Sequence, residues 1–327
     1  MRTSHVRASA VLLAAALLGG CAALRVESPP PTTPAADEVE QVRQRQALAT
    51  TVLLDELALV PSGEPEVDAV LADVADAAET QLDALGGVWV PFPSATPEPD
   101  TSTGPTTEPG PVDPEQIVAL LADQADSART DALTTTDGRL ARLVAGIALN
   151  RTLAGAALLT ALGTPEGSTP ESTTTDAVTA QPTTIPAGLS ASALGPAIVS
   201  EDALGLVWEV VAARSRDQAR QEAVDLAVAH RARAEAWAEA AGVAGTADDP
   251  RDASYDLPDA VADPGASEAD RLAAAAELET DLTAVWVDLL GRASPGSRAE
   301  LYASAQSAAT TATSLTGAVP ALPGIDG

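Results

Sequence analysis

Residues 223–242 read AVDLAVAHRARAEAWAEAAG. Ala223, Leu226, Ala227, His230, Ala234 and Trp237 recur at intervals of three and four, which gives one apolar face on a helix, and Gly242 supplies the stop. A second stretch, VDAVLADVADAAETQLDALG at 67–86, sets Val67, Val70, Leu71, Val74, Ala78 and Gln81 at the same spacing, 156 residues earlier, with Gly86 under Gly242. The pattern is therefore helical, and it occurs twice.

The repeat extends in both directions. With a shift of 158, Ala275, Leu278, Glu279 and Trp286 fall over Ile117, Leu120, Leu121 and Ala128, and Leu301, Ala305 and Ala312 fall over Leu143, Ile147 and Ala154. Asp113-Pro114-Glu115-Gln116 reads as N-cap, Pro at N1 and Gln at N3, opening one of these helices. With a helix near 37–60, the first half has four. The second half has four near 200–214, 217–241, 267–290 and 296–316, with caps expected at Ser200 and Ser267. The fold expected is all-α: two tandem antiparallel four-helix bundles of ~130 residues each, large enough for independent cores, joined by Pro/Thr-rich linkers. The only large rings offered to the cores are Trp89, Trp208, Trp237 and Trp286, three of them in the second half.

The N-terminus carries an address. MRTSHVRASAVLLAAALLGGC has basic Arg2 and Arg7, an apolar run from Ala8 to Leu18 and small residues before Cys21, the anatomy of an export signal. Leu18-Gly19-Gly20-Cys21 resembles the bacterial lipobox, which implies cleavage before Cys21, lipidation (a palmitate-type acyl chain) of its thiol and a place on the outer face of the cell membrane. Cys21 is the only cysteine, so a disulfide within the chain and a thiolate metal cluster are both excluded. The organisation expected is a signal peptide at 1–20, a tether at 21–36, a degenerate helical bundle at 37–163, a linker at 164–192 and a second bundle at 193–327. Thr-rich TSTGPTTEPG and ESTTTDAVTAQPTT in the linkers suit O-glycosylation.

Composition removes several function classes. There are 47 acidic against 18 basic residues, a formal charge of −29, and every basic residue is Arg. Such a surface repels nucleic acid, so no nucleic-acid partner is expected. The carboxylates are spread along helices rather than set in a calcium loop. No phosphate-binding Gly loop and no nucleophile elbow occur, which argues against nucleotide enzymes and hydrolases.

From Glu201 to Gly324 the chain resembles an actinobacterial ferritin-like domain family of unknown function. The stretches that carry the resemblance are SEDALGLVWEVVAA, AVAHRARAEAWAEAAG, AAELETDLTAVWVDLLGRA and ALPG. Ala229-His230-Arg231-Ala232, Leu278-Glu279 and Pro323-Gly324 match its motifs, while Glu201-Asp202-Ala203 stands where the family has Glu-His-Ala. The resemblance implies a ferritin-like bundle, and such bundles suggest a dimetal carboxylate centre. That centre needs Glu-x-x-His on each of two helices. Here Ala227 lies three before His230, and the only other histidine is His5 in the signal segment.

A smaller constellation remains. His230 and Glu279 each fall on the apolar face of their helices, so both point into the second bundle. One reading makes them, with Glu201 or Asp202 of the preceding helix, a site for a single metal or small ligand. The other makes them a buried pair that satisfies itself and serves packing. Their counterparts in the first repeat are Val74 and Leu121, so no chemistry is expected there; Glu56 on the inner face of the first helix is expected to pair with Arg45 or Arg139. The expectation is a membrane-anchored envelope lipoprotein, not an enzyme and without a cofactor, whose bundles bind an unidentified protein or envelope partner. A metal or ligand module at His230/Glu279 is the alternative.

Overall fold

The structure is a computed structural model that describes residues 36–89, 110–163 and 182–325. The signal segment, Cys21, the tether and most of the Pro/Thr-rich linkers lie outside the described residues. Among the described residues the regular elements are all helices: α1 Glu38–Leu57, α2 Pro65–Ala84, α3 Pro114–Thr134, α4 Gly138–Ala161, α5 Ala191–Arg214, α6 Asp217–Ala240, the single turn α7 Asp259–Ala262, α8 Glu268–Arg292 and α9 Ala299–Thr316.

Local chemistry sets most of the boundaries. Asp37 Oδ1 accepts from the Glu40 N–H at 2.8 Å, and Asp137 Oδ1 does the same for Leu140 at 2.8 Å. Gln116 Oε1 reaches back to the Asp113 N–H at 2.9 Å, as the Asp-Pro-Glu-Gln motif predicts. Ser267 and Asp270 form a reciprocal cap at the start of α8. The cap expected at Ser200 is displaced: Ser190 caps instead, accepting from Ala193 at 3.2 Å, and α5 starts at Ala191. Pro196, the sixth residue of α5, presents its ring to solvent and, lacking an N–H, cannot donate to the carbonyl four residues back, yet the helix runs through it.

The helices pair as antiparallel hairpins. In the first half α1–α2 and α3–α4 pack together through α2–α4 and α1–α3 contacts. In the second half α5–α6 and α8–α9 meet mainly through α5 and α8. One apolar cluster is confined to the outer part of the first half, around Leu53, Leu71, Val74, Ile117, Leu121 and Leu158. The other runs without a break from Val144, Ile147 and Leu149 of α4 into Trp208, Trp237 and Trp286. The two halves therefore share a core, and the residues from Ala36 onward form one compact unit.

Three devices hold the halves together. At the α4–α8 crossing Gly138 lies against Gly291, and a Cβ on either would overlap the other's carbonyl. Arg298, in the loop before α9, is buried and donates to Ala132 O and Thr135 O at 2.8 Å and to Ala293 O at 3.0 Å, closing the C-terminal end of α3 from the other half. The tail after α9 then crosses back. Asn150 donates to Pro320 O at 2.8 Å and Gln81 to Ala321 O at 3.0 Å, while Gly324, at φ +81, lies so close to Val287 that no side chain fits. The last residues of the linker belong to the fold as well: Ala187 O accepts from Ser294 N–H at 2.7 Å, and Ile185 and Leu189 pack on the shared core.

A shared core predicts one unfolding transition. Urea unfolding followed by tryptophan emission, whose buried rings all lie in the second half, should coincide with that followed by circular dichroism, which reports both halves. Arg298→Met should destabilise the whole unit by about 3 kcal/mol, roughly 1 kcal/mol for each buried carbonyl left without its donor.

Candidate functional site

Glu201 on α5, His230 on α6 and Glu279 on α8 meet in the middle of the second half, and none of the three is solvent-exposed. Each lies on the buried face of its helix, among Ala197 and Ile198, Ala227 and Ala234, and Ala275 and Leu282. The imidazole lies between the two carboxylates. Nδ1 is 2.7 Å from Glu201 Oε2, and Nε2 is 2.8 Å from Glu279 Oε1.

Indoles close the site. Trp286 Nε1 donates to Glu201 Oε1 at 3.1 Å, and Trp208 Nε1 donates to Glu279 Oε1 at 2.9 Å. Trp237 stacks at a tilt on Trp286, with ring centroids 5.2 Å apart, and its own N–H reaches Ser304 Oγ at 3.3 Å. Arg233, one turn beyond His230, donates from Nε to both oxygens of Glu201 at 3.1 Å. Glu279 Oε2 is the one carboxylate oxygen of the cluster without a partner among the described residues.

Burial alone would push the imidazole toward neutrality, but the hydrogen bonds to Glu201 and Glu279 and their charges outweigh it, and His230 is held above its ordinary value. Burial would also raise Glu201; the hydrogen bond from His230 and the charges of Arg233 and His230 reverse that and hold it low. His230 and Glu201 are thus held toward their charged forms, with the Arg233 guanidinium beside Glu201 and 3.0 Å from His230 Nδ1, the kind of pairing under which charges tolerate burial.

All four residues singled out in the sequence lie in this region, but not in one shell. Asp202 turns the other way, taking Arg231 at 2.7 Å and the Tyr255 hydroxyl at 2.9 Å. Asp202 is thus paired with Arg231 and Tyr255, outside the His230 cluster. Glu201 and Glu279 lie at opposite edges of one ring, so the three side chains do not converge on a point. Among the described residues no group of three His, Cys, Asp or Glu is placed to hold a metal ion. The donor set a dimetal bundle requires is not matched by these residues.

Residues 193–327 match a family described as a domain of unknown function, DUF4439. No curated protein and no solved structure matches the chain. The matched segment contains the entire His230 cluster and the Pro-Gly tail, and begins two residues into α5.

Sequence reasoning missed Arg233, Trp208 and Tyr255 as partners. Arg233 was legible in principle, since it follows His230 by three on the same face. Reasoning from the repeat also missed a polar cluster in the first half. Val74 and Leu121 are buried and apolar as expected, but Arg151 of α4 is fully buried where the 158-residue shift places Ala309 in the second half. Its Nη2 donates to Thr50 Oγ1 at 2.6 Å and Nη1 to Gln46 Oε1 at 3.4 Å; Gln46 in turn donates to Asp131 at 2.7 Å. Burial without a carboxylate in contact pushes the guanidinium down to about 10. Arg45 pairs with Asp131 at 2.5 Å rather than with Glu56, which is half-buried, and Trp89 is exposed rather than part of the core.

The cluster fixes a pH window. His230 titrates near 6.5 when unfolded and higher when folded, so its contribution is complete below pH 6.5 and fades as pH rises through the folded value. Glu201 titrates near 4.5 when unfolded and lower when folded, so its contribution is complete above pH 4.5 and fades below it. Stability to urea should peak between those values. His230→Gln should cost about 3 kcal/mol, as expected for removing one partner of a buried charge pair, and should flatten the alkaline limb.

Proposed function

We propose that the protein is a lipid-anchored, non-catalytic helical scaffold of the cell envelope that presents its outer faces to a protein or envelope partner. The observation that carries the reading is the state of His230. The one histidine beyond the signal segment has both ring nitrogens engaged by carboxylates in a space without solvent exposure. A general base or metal ligand needs a free lone pair facing its substrate or ion, and this imidazole has none to offer. Arg233 and the Trp286 indole occupy the remaining approaches to Glu201, and the Trp208 indole takes Glu279 Oε1. The cluster serves to fix how α5, α6 and α8 pack.

Anchoring rests on the signal anatomy and on Leu18-Gly19-Gly20-Cys21. A lipid on Cys21 would hold so acidic a chain at a membrane that its net charge disfavours. Neither a nucleic acid nor a cofactor has a role in this reading.

The chain from Cys21 to Gly327 should purify without stoichiometric metal and show no binding of zinc, iron or manganese that His230→Ala or Glu279→Gln abolishes. One equivalent of metal, lost in both variants, would overturn the scaffold in favour of a metal-handling module. Separately, the chain made in its host should partition into the detergent phase of a Triton X-114 extract, and Cys21→Ala should move it to the aqueous phase.

A further inference from the structure

Among the described residues five large apolar side chains are exposed: Leu48, Val52, Trp89, Val224 and Val228. Three of them lie together. Leu48 and Val52, 48% and 47% exposed, are one turn apart on α1. The backbone N–H of Trp89, whose ring is 49% exposed, donates to Gln44 Oε1 at 2.9 Å, and Gln44 lies one turn before Leu48. Val224 and Val228 are placed differently, on the outer face of α6 among Arg220, Glu222 and Asp225.

The α1 face is also poor in acid. In a chain of net charge −29, residues 41–54 (QVRQRQALATTVLL) contain no Asp or Glu and two Arg. Arg45 keeps half its side chain in solvent while binding Asp131. An aromatic ring and two aliphatic side chains beside Arg45, whose charge is met by Asp131, and bounded by Asp55 and Glu56 one turn past Val52, form a small apolar patch of the kind that settles at a bilayer interface. Connectivity points the same way. Only 14 residues lie between Cys21 and the start of the compact unit at Ala36. Fully extended they span at most about 50 Å. Leu48 lies roughly 15 Å along α1 from the point where that chain enters. A tether of this length keeps the face at a high effective concentration over the membrane, so a small apolar patch suffices.

We propose that the Leu48, Val52 and Trp89 face of α1 rests on the lipid surface to which Cys21 tethers the chain. The inference deepens the anchoring reading and rests on it. The remaining tryptophans are at most 2% exposed, so the difference in emission between the wild-type chain and Trp89→Phe isolates the ring in question.

The test uses the chain from Cys21 to Gly327, which keeps the whole described unit. Its single thiol is coupled to maleimide-headgroup lipid in phosphatidylcholine vesicles containing phosphatidylglycerol. Coupling supplies the tether whether or not the host attaches lipid, so the detergent partitioning above judges the anchor while this measurement judges the face. On vesicles the Trp89 emission should shift to the blue, lose its accessibility to iodide and be quenched by shallow doxyl-labelled lipid. Leu48→Glu/Val52→Glu, at exposed positions that leave the core untouched, should abolish all three changes with an unaltered circular dichroism spectrum. Two results overturn the proposal: iodide accessibility on the vesicle equal to that of the uncoupled chain, as a face kept for a protein partner would give, or lipid quenching that survives the double substitution.

Discussion

A charged imidazole with no access to water must find its counter-charges inside the protein, and the second half is arranged around that requirement. His230 donates to one carboxylate from α5 and another from α8, so a single ring ties three helices. Arg233 adds a cation beside Glu201, and the indole N–H groups of Trp286 and Trp208 satisfy Glu201 Oε1 and Glu279 Oε1, leaving Glu279 Oε2 without a partner among the described residues. Trp208 and Trp286 do two things at once: they fill a core otherwise built from alanine and aliphatic side chains, and they lower the cost of burying carboxylates. Take the imidazole away and two glutamates remain facing an empty ring-sized space, with Arg233 beside only one of them.

The first half shows what the same helical plan does without that cluster. Val74 and Leu121 stand where His230 and Glu279 stand in the second half, and they form an ordinary apolar contact set with Leu53, Ile117 and Leu158. Polarity enters elsewhere, through Arg151, Thr50, Gln46 and Asp131, a chain of donors and acceptors running between α4, α1 and α3. The halves then join through contacts that belong to neither alone: a glycine pair at a helix crossing, an arginine from one closing a helix of the other, and a tail that returns across the seam.

Periodicity made the helices legible, because alanine-rich amphipathic segments with Asp, Ser and Gly at their ends leave little choice of secondary structure. It also placed His230 and Glu279 inward, and their meeting followed once the helices were antiparallel. The start of α5 was misplaced because a proline inside a helix, here its sixth residue, looks like a break when only the chain is seen. Arg233 and Asp202 were harder for a different reason: helical phase gives the side of the helix, while the partner of a long side chain depends on the crossing angle of its neighbours. The joining of the halves was hidden for the same reason, since Gly138, Gly291 and Arg298 have meaning only when distant segments touch.

Helix α4 carries one more consequence. By length and apolarity it is the one helix among the described residues that would pass for a membrane span, although it is mostly buried inside the unit. A chain threaded through a translocon on the export route proposed above presents such a segment to lipid before its bundle exists. Arg151 sits near the middle of it. An arginine at that depth costs about 2.5–3.5 kcal/mol during insertion. The residue that is most awkward to bury in the finished fold is therefore the one that biases the segment to pass through the bilayer rather than stop in it.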